Sequence, residues 1–275
     1  MKLIFSLGPF NIHFFGLMVA IASMVGIGVA LMEAKRKGLD QERILEVCLY
    51  ALVGGVVGAR LMYILVYDPA HYLQNPADII MISNGGLSIH GGIVGGALAA
   101  IIYIKKNKLP IWKVADTVAP GLILAQGIGR VGCDVFGKVM SSPLPWGITY
   151  NGNLVHPAQA YEFILDYLLF SYLWQKRKDL KYDGQIFVHY LMIFALIRGV
   201  VEFSRINPSV WGVFTVSHVL SIVMVAAGTI IAIYLKRNKP LKTDIGRKRT
   251  NIWGTLLFVI ILILFSLIIF YGVQG

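Results

Sequence analysis

The sequence predicts an all-α polytopic membrane protein, and three observations carry that prediction. The chain has 275 residues, of which 57% are hydrophobic and 14% charged, with a mean hydropathy of +0.70. Soluble domains carry roughly 25% charged residues. Apolar runs close to the ~20 residues needed to cross a bilayer recur along the chain. Its basic residues are sorted onto alternate loops, the pattern that sets the orientation of multi-pass proteins.

The first run, 12–33, is too long for a signal peptide. It also lacks a basic leader and a clear small-residue cleavage site, so it reads as a retained span. Further spans are expected at 46–67, 90–104, 113–132, 157–175, 185–203 and 214–235, and an eighth at 252–272. The second, fourth and sixth carry charge. Lys35, Arg36, Lys37 and Arg43 separate spans one and two, and Lys105, Lys106, Lys108 and Lys113 separate three and four. Lys176, Arg177, Lys178 and Lys181 separate five and six. Lys236, Arg237, Lys239, Lys242, Arg247, Lys248 and Arg249 precede span eight. These loops are assigned to the cytoplasm, which places both termini outside. The expected organisation is a membrane-embedded domain over 1–235, a basic cytoplasmic linker over 236–250 and an additional transmembrane helix over 251–275, read as an appendage. The net charge of +11 follows from this sorting, and nucleic-acid binding is not expected.

Glycines four apart inside the spans, Gly54 with Gly58 and Gly91 with Gly95, let helix backbones approach closely in lipid. Two outer loops are long. Asp68–Ile89 carries Pro69, Pro76 and the turn signal Asn84-Gly85-Gly86; Cys133–His156 carries Pro143, Pro145, Trp146 and Asn151-Gly152. Their aromatic and apolar content predicts a small ordered cap on the outer face, able to receive a second, non-lipid substrate. Gly127-Ile-Gly-Arg-Val-Gly132 formally matches a dinucleotide fingerprint, but it follows no strand and ends a membrane helix, so that reading fails. Cys48 and Cys133 are expected near opposite ends of their spans, which disfavours a disulfide, and no metal-ligand spacing is present.

Arg60, Arg130, Arg198 and Arg205 break the sorting. A guanidinium in hydrocarbon costs at least about 2.5–3.5 kcal/mol on insertion scales, and its planar fork suits a phosphate. They point to a lipid-headgroup site near the outer face. Arg60 and Tyr63 share one face of span two. Arg198, Glu202 and Arg205 step by four and three along the end of span six, so Glu202 can pair with either arginine. Arg130 stands among glycines that would admit a bulky headgroup. The competing reading is structural ion pairing and snorkelling. His90 opens span three as a residue able to take a proton near neutral pH, or as a headgroup-level histidine bonded to a carbonyl. His156-Pro-Ala-Gln-Ala-Tyr-Glu162 begins span five with proline in the first turn. Capping explains His156 and Pro157; it does not explain why Gln159 and Glu162 both enter the span.

Taken together, His90-Gly-Gly-Ile-Val-Gly-Gly96, Gly129-Arg-Val-Gly132, His156-Pro-x-Gln-x-Tyr-Glu162 and Arg198-x-x-x-Glu202-x-x-Arg205 resemble the prolipoprotein diacylglyceryl transferases. Gly58-Ala-Arg-Leu-x-Tyr63 and Asp116 with Pro120 fit the same pattern. The resemblance runs in order over about 12–235. It implies a seven-helix enzyme of the bacterial inner membrane with its active site toward the outer leaflet. That enzyme would move the diacylglyceryl group of phosphatidylglycerol to the lipobox cysteine of a prolipoprotein signal peptide, releasing glycerol phosphate, with no cofactor. It also implies catalytic roles for His90, Arg130 and Arg198, with substrate binding by Arg60, Tyr63, Gln159, Glu162, Glu202 and Arg205. The chain departs from the pattern at Phe15, at Cys133-Asp134, at Lys138 and in span eight. Either Lys138 supports the phosphate in its own way or the site favours another anionic lipid, and Cys133 raises the further idea of an enzyme-bound intermediate. The rival expectations are a related headgroup transferase with another acceptor, a lipid or anion transporter, and a purely structural scaffold.

Overall fold

A segment in hydrocarbon must satisfy its backbone N–H and C=O groups internally, so the apolar runs become helices. The computed structural model describes residues 2–7, 10–67, 69–81, 85–212, 214–241 and 251–274. Its helices are α1 (Phe14–Arg36), α2 (Gln41–Tyr67), α3 (Pro69–Gln74), α4 (Ile89–Lys106), α5 (Ile111–Val131), α6 (Ala158–Lys176), α7 (Gln185–Glu202), α8 (Val216–Asn238) and α9 (Ile252–Gln274). Each expected span coincides with one long helix, and α2 shows the largest difference in its start, at Gln41 rather than 46. All of the long helices except α5 and α6 are long and apolar enough to cross a membrane. Those two are diluted by Asp116, Gln126 and Arg130, and by Gln159, Glu162 and Asp166. On α6 the three polar side chains are fully buried in protein, so they need not meet lipid.

Among the described residues, three short antiparallel strand pairs lie outside the helical expectation: β1 (Leu3–Leu7) with β2 (Phe10–His13), β3 (Ile148–Tyr150) with β4 (Asn153–Val155), and β5 (Ser209–Trp211) with β6 (Phe214–Thr215). The Asn151-Gly152 turn joins β3 to β4. Its φ values of 49° and 79° are the paired left-handed conformations that match strand twist, and Asn and Gly tolerate them best.

The chain forms two compact units. One is Leu31–Val114; the other combines Met1–Ala30 with Ala115–Gly275. In the first, α2 packs along α4, and the spaced glycines of both helices face each other. A Cβ built on Gly58 would lie 2.8 Å from the Gly95 Cα, a distance that only glycine permits. The long loop between these helices carries α3 and a 3₁₀ turn at Pro76–Ile79; Asp68 and Asn84 lie outside the described residues.

The second unit is built around α6. Phe163, Tyr167 and Leu173 are wholly buried, together with Ile123 and Leu124 of α5, Ile186 of α7 and Phe270 of α9. The expected appendage is therefore part of a core. Phe270 meets Phe163 edge-on at 5.9 Å between ring centroids, and Tyr167 shares a 3.0 Å hydrogen bond with Ser266. The apolar face of α6 needed a partner, and α9 supplies it. Of the expected basic linker, residues 242–250 lie outside the described residues.

Candidate active site

Within Leu31–Val114, Arg60 is anchored rather than open. Its Nε donates to the Ile79 carbonyl at 3.0 Å and its Nη1 to those of Gly85 and Gly86 at 2.8 and 2.9 Å. Nη2 donates to the Asp78 carbonyl at 2.5 Å. Only a guanidinium presents enough N–H groups in one plane to gather carbonyls from both sides of a loop. Its carbon sits 5.2 Å from the Tyr72 ring centre and 6.0 Å from that of Tyr63. Arg60, Tyr63, His71, Tyr72 and Asp78 line a cleft of about 230 Å³, and His71 Nε2 meets the Asp78 carboxylate at 2.9 Å. His90 lies in the first turn of α4 and is exposed. The turn is pinned two residues earlier, where the Ser88 N–H donates to the Ala59 carbonyl at 3.0 Å.

In the other unit the helices converge on a lattice of charge. Asp116 on α5 accepts from the N–H groups of Gly184 and Phe187 at 2.7 and 2.9 Å. That carboxylate caps the start of α7 and fixes the helix whose far end carries Arg198 and Glu202. Arg198 Nη2 meets Glu202 at 2.8 Å. The other Glu202 oxygen accepts from Asn207 Nδ2 and Thr215 Oγ1, each at 2.7 Å. Arg205 Nε lies 3.8 Å from Glu202, and its Nη1 3.8 Å from Glu162. Glu162 is also 3.0 Å from Arg130 Nη2. Three arginines thus alternate with two glutamates drawn from α5, α6 and the end of α7. Gln159, one turn before Glu162, donates to the Cys133 carbonyl at 3.2 Å.

Exposure sorts the lattice by sign. The Glu162 and Glu202 side chains are 1% and 0% accessible, whereas Arg130, Arg198 and Arg205 keep 28%, 20% and 13%. The anions form a sealed floor and the cations an accessible layer above it. Among the described residues, the buried Arg198 Nη1, Arg205 Nε and Arg205 Nη1 atoms have no hydrogen-bond partner. Burial, and then the like charge of Arg198, lowers the Arg205 guanidinium from its usual range. Asp166, one turn beyond Glu162, is fully buried and packs toward Gly127, where a built Cβ would lie 3.3 Å from its own Cβ.

Several expectations change here. Of the glycines flanking Arg130, Gly127 admits the Tyr167 ring and Gly132 the Met18 side chain; only Gly129 leaves open space. Lys138 is exposed. Its backbone holds the loop, donating to the Ser204 carbonyl at 2.7 Å and accepting from the His156 N–H at 2.9 Å. Cys133 is buried beside Arg130, with Nη1 to Sγ at 3.8 Å, and both cysteines are free thiols. Sequence reasoning missed Asn207 and Thr215, which carry no local signal for a glutamate many residues earlier. It also missed Asp166, although a second acid one turn from Glu162 is a signal that could have found it.

Fold and site define a multi-pass helical membrane protein that presents clustered guanidinium groups over sealed carboxylates, an arrangement suited to an anionic ligand. A family model described as prolipoprotein diacylglyceryl transferase matches residues 2–234. The chain belongs to that family. It is 36% identical over 241 residues to the phosphatidylglycerol–prolipoprotein diacylglyceryl transferase of Clostridioides difficile, covering 86% of this chain and 97% of the relative. The enzyme of that name from Finegoldia magna is 33% identical, covering 86% and 96%, and that from Staphylococcus haemolyticus 34% identical, covering 84% and 86%.

Proposed function

We propose that this chain transfers the diacylglyceryl group of phosphatidylglycerol to the lipobox cysteine thiol of a prolipoprotein, the first step of bacterial lipoprotein maturation. The carrying observation is the three-arginine layer held over buried glutamates. Sulfur attacks the glyceryl carbon that bears the phosphate ester; a C–S bond forms and the C–O bond breaks. The electron pair goes to the phosphate oxygen, and glycerol phosphate leaves. Arg130 and Arg198 stabilise the charge growing on that oxygen, and fixed cations do this best where water is scarce. Arg205 and Lys138 add to the binding field, Glu162 and Glu202 hold the cations in place, and Gln159 fixes the segment after Arg130. Arg60 and Tyr63 bind substrate through the loop they organise. His90 takes the thiol proton, which makes sulfur the better nucleophile.

In this reading the protein resides in the bacterial inner membrane with both termini outside and the site toward the outer leaflet. Residues 1–235 are the transferase, 236–250 a cytoplasmic linker and 251–275 an additional helix. The acceptor enters with its own signal helix. The test uses purified protein in phosphatidylglycerol vesicles with a synthetic lipobox peptide. The expected result is a diacylglyceryl mass gain on the peptide, matched by released glycerol phosphate. No gain, while an active family member modifies the same peptide, would refute the assignment.

A further inference from the structure

Helix α9 lies beyond the residues matched by the family model, which ends at 234. Its contacts nonetheless fall beside the lattice at three points. Gln274 Nε2 donates to the Val131 carbonyl at 3.3 Å, one residue after Arg130. Tyr271 donates to the Trp146 carbonyl at 2.6 Å, and Trp146 Nε1 donates to Tyr161 at 2.9 Å, one residue before Glu162. Ser266 shares its hydrogen bond with Tyr167, one residue after Asp166. Successive residues on a helix point about 100° apart. Gripping Tyr161 and Tyr167 therefore fixes the rotation of α6 without covering the face that carries Glu162 and Asp166. Gln274 likewise holds the end of α5, where the last carbonyls lack helical partners. Lys2 Nζ donates to the Val273 carbonyl, which ties the first residues of the unit to the same end of α9.

We propose that α9 is a positioning helix for the Arg130–Glu162 pair, with Gln274 and Tyr271 as its positioning residues. The inference rests on the reading of that pair as part of the transfer site. Lipid packing alone would need an apolar surface; it would not need two side-chain donors aimed at backbone carbonyls on either side of the lattice. In this chain, site geometry depends on a helix outside the matched family region.

The test uses the full chain carrying Cys48→Ala, so that Cys133 is the single thiol. Cys133 follows Val131 closely and contacts Arg130, so its alkylation rate by a maleimide reports on the end of α5. Gln274→Met keeps length without a donor, and Tyr271→Phe removes only a hydroxyl. Each is expected to speed Cys133 alkylation roughly three- to tenfold, the value of one lost hydrogen bond. Each should lower kcat by a similar factor, with the KM for lipid unchanged. Unchanged alkylation, or faster alkylation with kcat at the parent value, overturns the inference. A parent protein that modifies no peptide sinks the transferase reading instead, and alkylation alone then decides whether α9 fixes the α5 end.

Discussion

Replacing Arg130 separates a structural ion pair from a catalytic one. Arg130→Ala removes the 3.0 Å partner of Glu162 and leaves, among the described residues, Arg205 at 3.8 Å. Breaking a fully buried pair costs about 3–5 kcal/mol. Because the Arg130 side chain keeps 28% exposure, about 2 kcal/mol is the better expectation after solvent screening. Transfer should suffer separately. Losing one fixed donor to developing negative charge costs about 2.7–4 kcal/mol, or about 10²–10³ in kcat. The double variant Arg130→Ala with Glu162→Gln removes the stranded charge, so it should regain most of the stability. It should regain none of the transfer. Thermal unfolding in detergent and peptide mass gain in vesicles read the two effects independently. If the double variant recovers both together, Arg130 acts by holding Glu162, and the phosphate role assigned to it is wrong.

Three further outcomes follow from the geometry. Gly58→Val places branched carbons where the Gly95 Cα stands 2.8 Å from a built Cβ; α2 and α4 should separate, seen as loss of protease resistance in Leu31–Val114. Arg60→Lys substitutes a point charge for a fork that reaches four carbonyls; amide exchange at Ile79, Ile80, Gly85 and Gly86 should quicken while the helices keep their protection. Asp116→Ala removes the acceptor for the Gly184 and Phe187 N–H groups and should cost about 1–2 kcal/mol of stability, with the loss appearing as faster exchange at the start of α7. Unaltered exchange in either of the last two variants would show that the hydrogen bonds named are not what holds those segments.

Much of this protein is written locally. Glu202 could be paired with Arg198 or Arg205 from spacing alone, because residues three and four apart on a helix are neighbours wherever the helix goes, and contacts of 2.8 and 3.8 Å are the result. The turn at Asn151-Gly152 was legible for the same reason, though the strands it joins were too short to signal themselves. Glu162 was recognisable as an acid that needed a partner, but its partners were not. Arg130 comes from the end of α5 and Arg205 from the segment after α7, and no periodicity relates them to α6.

The sequence by itself determined the membrane class, the long helices, the glycine spacing that allows close helix approach, and the family to which the chain belongs. Each of these depends on hydropathy, on spacing within one element, or on the order of motifs along the chain. Tertiary structure alone decided which arginines meet Glu162, that Arg60 is occupied by backbone carbonyls, and that α9 belongs to a core. The apolar residues of α9 suit lipid and protein equally well, so composition could not say which would surround it. Only the packing of Phe270 and Ser266 against α6 answers that, because a contact between distant segments exists only once the chain has brought them together.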